Sequence, residues 1–133
     1  MRWMLDTDTC IALIKKHPGA IKKLRGKSIG QVGISSVTLG ELAFGVRKSS
    51  KQPEAEAALG EFLLALEVAP FGERAAMRYG QVRASLERRG KPIGPLDTLI
   101  AAHALASDVV LVTHNSGEFG RVDGLRTEDW VRG

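Results

Sequence analysis

Five residues, Val109-Val110-Leu111-Val112-Thr113, constrain this chain more than any other segment. No polar residue interrupts the first four, and three of those four are β-branched. A strand with one wet face alternates apolar and polar; this run does not, so it fits a strand covered on both faces. The segment before it, Leu96 to Ala106, reads as a strongly apolar helix, and His114-Asn115-Ser116-Gly117-Glu118-Phe119 after it reads as a loop or short helical turn. The same alternation recurs upstream. Trp3-Met4-Leu5, Val32-Gly33-Ile34-Ser35 and Glu67-Val68-Ala69-Pro70 read as strands, with a small edge strand expected between Leu125 and Val131. Helices are expected over Thr9–Lys16, Ile21–Leu24, Thr38–Lys48, Glu54–Leu66 and Glu73–Arg89. Strands alternating with helices predict a three-layer α/β/α fold around a small, mostly parallel central sheet, in one domain spanning residues 1–133.

Charge narrows the function classes. Lys and Arg number 19 against 15 Asp and Glu, and their placement is uneven. Thr9 to Gly40 contains no acid but holds Lys15, Lys16, Lys22, Lys23, Arg25 and Lys27; a second basic run is Arg83, Arg88, Arg89 and Lys91. Each run alone is compatible with a solvated helix face, and together they favour an anionic polymer as partner. No apolar run reaches the roughly 18–20 residues of a membrane span. An acid at position 6 comes too early for a secretory signal, and the single Cys10 excludes an internal disulfide, so a cytoplasmic location is expected. Cys10 reads as a small buried residue rather than a nucleophile.

Four acids sit singly where apolar segments end or turn: Asp6, Glu41, Asp97 and Glu118. In parallel sheets, sites form at the carboxyl ends of strands, where Asp6 and the loop after Thr113 both fall. Two carboxylates about 5 Å apart, at an effective dielectric of about 20, repel by about 3 kcal/mol. A divalent cation would convert that cost into binding. Each acid also has a plainer reading. Asp8 is the better placed cap for the first helix, which leaves Asp6 without a local job. Thr38-x-x-Glu41 matches a capping box. Asp97 at the head of its helix suits the helix dipole. Glu118 has competitors in Asp123, Glu128 and Asp129. His103 reads as a core histidine, and His114 stands at a strand end.

Taken together, these segments resemble the PIN-domain ribonucleases, specifically the VapC toxins of bacterial toxin–antitoxin pairs. Met4-Leu5-Asp6-Thr7-Asp8-Thr9-Cys10-Ile11 looks like the family's opening strand and first acid. Ile34 to Leu42 looks like its second strand and glutamate, and Ile93-Gly94-Pro95-Leu96-Asp97-Thr98-Leu99-Ile100-Ala101-Ala102-His103-Ala104 is the most specific match. Leu111-Val112-Thr113-His114-Asn115 with Glu118-Phe119, then Val122, Gly124-Leu125 and Glu128-Asp129-Trp130, resemble the closing segment. The resemblance implies Asp6 and Asp97 as direct metal ligands, Glu41 as a third carboxylate and Glu118 as a fourth, with Thr113 offering a hydroxyl and Asn115 shaping the last loop. The family usually has a small polar residue where His114 stands and often Asn where Asp8 stands.

What the resemblance implies is a Mg²⁺-dependent endoribonuclease, with Mn²⁺ able to substitute, that cuts initiator tRNA in its anticodon stem-loop and so inhibits translation. It also implies a VapB-like antitoxin, a homodimer, and a toxin–antitoxin hetero-oligomer; the apolar stripe of Glu54–Leu66 offers a candidate interface. Two other readings compete. One is a catalytically silent RNA-binding module that keeps the acids for folding, and the other a DNA-directed or structure-specific nuclease on the same fold.

Overall fold

A computed structural model describes all residues, Met1–Gly133. The strands are β1 (Trp3–Leu5), β2 (Val32–Ser35), β3 (Glu67–Ala69), β4 (Val110–Val112) and β5 (Thr127–Glu128). They form one sheet in the order β3-β2-β1-β4-β5, and every neighbouring pair is parallel. The helices are α1 (Thr7–Ile14), α2 (Pro18–Arg25), α3 (Ser36–Lys48), α4 (Gln52–Leu63), α5 (Glu73–Arg88), α6 (Pro95–Ser107) and α7 (Ser116–Phe119).

The lack of alternation in the β4 run has a direct structural cause. Met4 pairs with Leu111 and Leu5 with Val112, and successive side chains on a strand point to opposite faces. Met4 and Leu111 therefore enter one core with Val82, Leu86, Ile100 and Phe119 of α5, α6 and α7. Leu5 and Val112 enter a second core with Leu13, Ala20 and Leu42 of α1, α2 and α3, closed by Trp130. All four strand residues are fully buried, each worth about 1.5–3 kcal/mol relative to exposure. Helices thus cover both faces, as the sequence predicts.

Gly33 marks where two strands close up. A Cβ at this position would lie 2.5 Å from the Glu67 carbonyl oxygen and 2.7 Å from Met1 Sδ, so only glycine lets β3 and the N-terminus approach β2. At the end of α6, Asp108 takes a left-handed conformation (φ 54°) and its N–H closes back on the helix, turning the chain into β4. Asp tolerates that backbone better than most residues.

The element boundaries differ from the sequence reading in two places that matter. The first helix begins at Thr7, directly after Asp6, and α3 begins at Ser36 rather than Thr38. The apolar stripe of Glu54–Leu66 also has an internal use: Leu59, Phe62, Leu63 and Leu66 pack, half-buried, against the second core. No helix is long and apolar enough to cross a membrane.

The strand order fixes where a site belongs. From β1 the chain steps outward through β2 to β3, then returns to the other side of β1 for β4 and β5. The direction of winding reverses between β1 and β4, and a crevice opens outside the carboxyl ends of strands at such a point. Asp6 follows β1 there, and Thr113 to Glu118 follow β4.

Candidate active site

Asp6 is 4% exposed and caps α1 itself. Its Oδ1 accepts the Thr9 N–H at 2.8 Å, while its own N–H donates to the Val112 carbonyl at 3.0 Å. Thr9 reinforces the join, its hydroxyl donating to the same Val112 oxygen at 3.1 Å. The expectation that Asp8 is the cap is therefore corrected. β1 ends at Leu5 with no linker before the helix, so the first residue past the strand becomes the cap, and Asp8 is left exposed in the first turn. Burial pushes the Asp6 carboxyl up; hydrogen bonding from Thr113 and Thr9 resists the shift, and the charge of Asp8 adds to it.

Glu41 is likewise freed from the capping box. Ser35 caps α3, its hydroxyl accepting the Val37 N–H at 3.1 Å, which moves Glu41 into the second turn. It is held instead by Thr7, whose hydroxyl donates to Oε1 at 2.6 Å. Thr7 was not singled out from the sequence. Its signal was available: a hydroxyl residue immediately after the strand-end acid projects toward the same crevice.

Asp97 lies in the first turn of α6, held in place by the Pro95 start and by the Thr98 hydroxyl donating to the Gly94 carbonyl at 2.8 Å. Its carboxyl is pushed up to about 6, first by burial, then by the charges of Glu118 and Asp6, a hydrogen bond with Glu118, and the charge of Glu41. Those causes are a geometric statement. Asp6 at the end of β1, Glu41 on α3 and Glu118 on α7, up to 112 positions apart in the chain, lie close enough to Asp97 to oppose its ionisation.

Glu118 reaches that space from α7. The Asn115 amide donates to its Oε2 at 2.8 Å, and the Asn115 N–H donates to the Thr113 hydroxyl oxygen at 2.9 Å. The competing acids are engaged elsewhere. Asp123 faces Arg89 at 3.8 Å. Glu128 accepts both indole N–H groups, of Trp3 and Trp130. Asp129 caps the N–H groups of Val131 and Arg132. His114 is half-buried with Nδ1 enclosed and unpartnered, and it leaves the Asn115–Glu118 bond intact. His103 is a core residue as expected: its Nδ1 lies 2.8 Å from Ser35 Oγ, it packs edge-on against Phe71, and burial lowers its pKa. Cys10 is fully buried, its thiol pushed well up by burial.

No three His, Cys, Asp or Glu side chains are grouped closely enough to hold a metal ion by themselves. The donor set is nonetheless all carboxylate oxygen, partly open, and mutually repelling. That suits a hard divalent ion such as Mg²⁺, which binds through one or two carboxylates and keeps several waters, better than zinc, which takes nitrogen and sulfur in closed tetrahedra.

The chain belongs to the PIN domain family, whose description matches residues 3–125. Its full-length relatives carry the name VapC. It is 42% identical over 130 residues to the tRNA(fMet)-specific endonuclease VapC of Shigella flexneri, covering 98% of both chains. It is 41% identical over 133 residues to the Ribonuclease VapC2 of Rickettsia felis, again covering 98% of both. The VapBC2 complex of Rickettsia felis, solved on a DNA fragment from its promoter, contains a chain that superposes with a TM-score of 0.93 at 39% identity, over 98% of this chain and 99% of that one.

Proposed function

We propose that this protein is a metal-dependent endoribonuclease toxin that hydrolyses RNA phosphodiester bonds, cuts initiator tRNA in the anticodon stem-loop, and thereby stops translation. The observation that carries the reading is the Asp97 carboxyl held near 6 by burial and by three other acids at the switch point of a parallel sheet. A structural acid at a helix head has no reason to be surrounded by its own charge.

Asp6 and Asp97 would hold Mg²⁺, or Mn²⁺ in its place, with Glu41 and Glu118 as further site carboxylates. When bound, the cation supplies Lewis acidity toward the scissile phosphate and a lowered pKa for water. The chain's own residues do the rest. Thr9 and Thr113 hold the Asp6 carboxylate in place by hydrogen bonds. Thr7 and Asn115 orient Glu41 and Glu118, each through one short hydrogen bond. The basic run from Lys15 to Lys27, with Arg88, Arg89 and Lys91 of the second run, would hold phosphates without reading sequence.

A VapB-like antitoxin as the neutralising partner follows from the VapC likeness and from relatives solved as VapBC complexes. A homodimer and a toxin–antitoxin hetero-oligomer belong to the same proposal. The test is incubation of total RNA with Mg²⁺ and wild type, Asp6→Asn or Asp97→Asn, with cut sites mapped. Wild type cuts in the initiator tRNA anticodon stem-loop and both variants lose activity while keeping a cooperative unfolding transition. Full activity in either variant, or RNA binding without cleavage in Mg²⁺ and Mn²⁺, rejects the reading.

A further inference from the structure

A cavity of about 240 Å³ lies between the C-terminal half of α5 and the head of α6. Tyr79, Arg83 and Glu87 on α5 face Ile93, Pro95 and Thr98 across it. Pro95 and Thr98 belong to the same first turn of α6 as Asp97, on an adjoining face of the helix, so the cavity and the candidate site share that turn. Below the roughly 300–1,000 Å³ of whole small-molecule sites, it has room for a single ring.

Its polar groups are arranged, and stability does not explain the arrangement. The Arg83 Nη1 donates to the Tyr79 hydroxyl at 3.0 Å and its Nε to Glu87 Oε2 at 2.6 Å. Both Arg83 and Glu87 are more than half exposed, where an ion pair contributes little to folding. The result is a guanidinium joined to the phenol oxygen, with unused N–H groups and a carboxylate side by side. The opposite wall is also fixed, because Arg121 Nη1 donates to the Pro92 carbonyl at 3.0 Å. A preformed cavity loses little freedom on binding.

Charge selects the occupant. Glu87 disfavours a phosphate, Arg83 disfavours a metal ion, and the apolar floor of Leu86 and Ile93 disfavours anything fully hydrated. A neutral, flat, polar-edged ring meets none of these objections. RNA loops are recognised through such rings, unstacked and laid on aromatic or guanidinium planes with their edges hydrogen-bonded. Building on the ribonuclease reading above, we propose that this cavity is a base subsite, taking one unstacked nucleobase of the RNA strand next to the bond that is cut. It gives the protein a sequence-reading element that the basic runs cannot supply. Tyr79 and Arg83 provide the stacking plane; Arg83 and Glu87 meet the acceptor and donor of the base edge.

The test uses anticodon stem-loop RNA in which one nucleotide at a time around the cut is made abasic. Wild type loses about 10-fold in kcat/KM at one position, the scale of a lost base–aromatic stack. Tyr79→Ala and the cavity-filling Ile93→Trp show that loss on intact RNA and no further loss on the sensitive abasic RNA. Equal cutting of all abasic RNAs by wild type overturns the proposal. So does a variant whose rate falls by the same factor on intact and abasic RNA. Anisotropy binding of the same RNAs in EDTA keeps the two readings apart. If wild type cuts nothing, the ribonuclease reading fails. A position-specific affinity loss, absent in Tyr79→Ala, then still supports the subsite, and uniform affinity rejects it.

Discussion

Replacing Asp97 by Asn separates an active-site acid from a helix-head acid, because the two roles predict opposite signs. If Asp97 served the helix dipole, removing its charge would cost about 0.3–1 kcal/mol. The structure argues for the reverse. In the unfolded chain an aspartate titrates near 3.8, and in the fold Asp97 is held at about 6, first by burial and then by Glu118, Asp6 and Glu41. Between those values the native state binds the extra proton, so stability falls as pH rises through that window. At neutral pH the full gap corresponds to about 3 kcal/mol; the carboxyl is partly exposed, and solvent screening reduces this to about 1–2 kcal/mol. Asp97→Asn should therefore stabilise the metal-free protein at pH 7.5 by that amount, a rise in Tm of roughly 3–8 °C for a chain of this size. At pH 4.5 the folded carboxyl is mostly protonated while the unfolded one is still mostly ionised, so the gain should shrink to about a third. Urea denaturation in EDTA at the two pH values measures both. Saturating Mg²⁺ should close the gap at pH 7.5 by stabilising wild type more than the variant. A loss of stability at pH 7.5, or a gain of the same size at both pH values, refutes the convergence of the four acids.

Other expectations follow from single contacts. Thr7→Val removes the hydroxyl that holds Glu41; cleavage should fall about 10-fold or more, read by initial rates on tRNA, while the loss of stability stays at about the 0.5–1.5 kcal/mol of an ordinary hydrogen bond. Glu118→Gln should lower activity strongly, while Asp123→Asn should leave it within about twofold, and equal effects would contradict the assignment of the fourth acid. Gly33→Ala should destabilise by about 1–3 kcal/mol in urea, because its methyl overlaps the Glu67 carbonyl and the overpacked strand pair has to part. Ser35→Ala should cost about 1–3 kcal/mol, since it removes both the cap of α3 and the partner of the buried His103 Nδ1.

The sheet was legible in the chain because two-sided burial leaves an unbroken apolar run, and parallel order follows from the helices between strands. Helix starts were less legible. Thr38 and Asp8 both look like caps by spacing, yet Ser35 and Asp6 do the work, because a strand's end is set by its neighbours in the sheet and the helix begins wherever the strand stops. Thr38 ends up buried with its hydroxyl unpartnered, a position no local rule assigns to a capping residue. The site followed the same pattern. Asp6 and Asp97 stand at ends that periodicity reveals. Glu118 differs from Asp123, Glu128 and Asp129 only in what each touches after folding, and no local pattern distinguishes Asn115 from an indole or an arginine as the eventual partner. The resemblance to a known family supplied what spacing could not.

One carboxylate both starts a helix and stands in the crevice, and this narrows the mutational routes to a harmless protein. Asn at position 6 keeps an oxygen for the Thr9 amide and removes the charge, so on the proposed reading it should give a silent but well-folded chain. Glu restores the charge on a longer arm that misses the amide, and Ala forfeits both. Selection for survivors of such a toxin would therefore enrich Asn here over larger lesions wherever the folded chain must still be made and held by a partner.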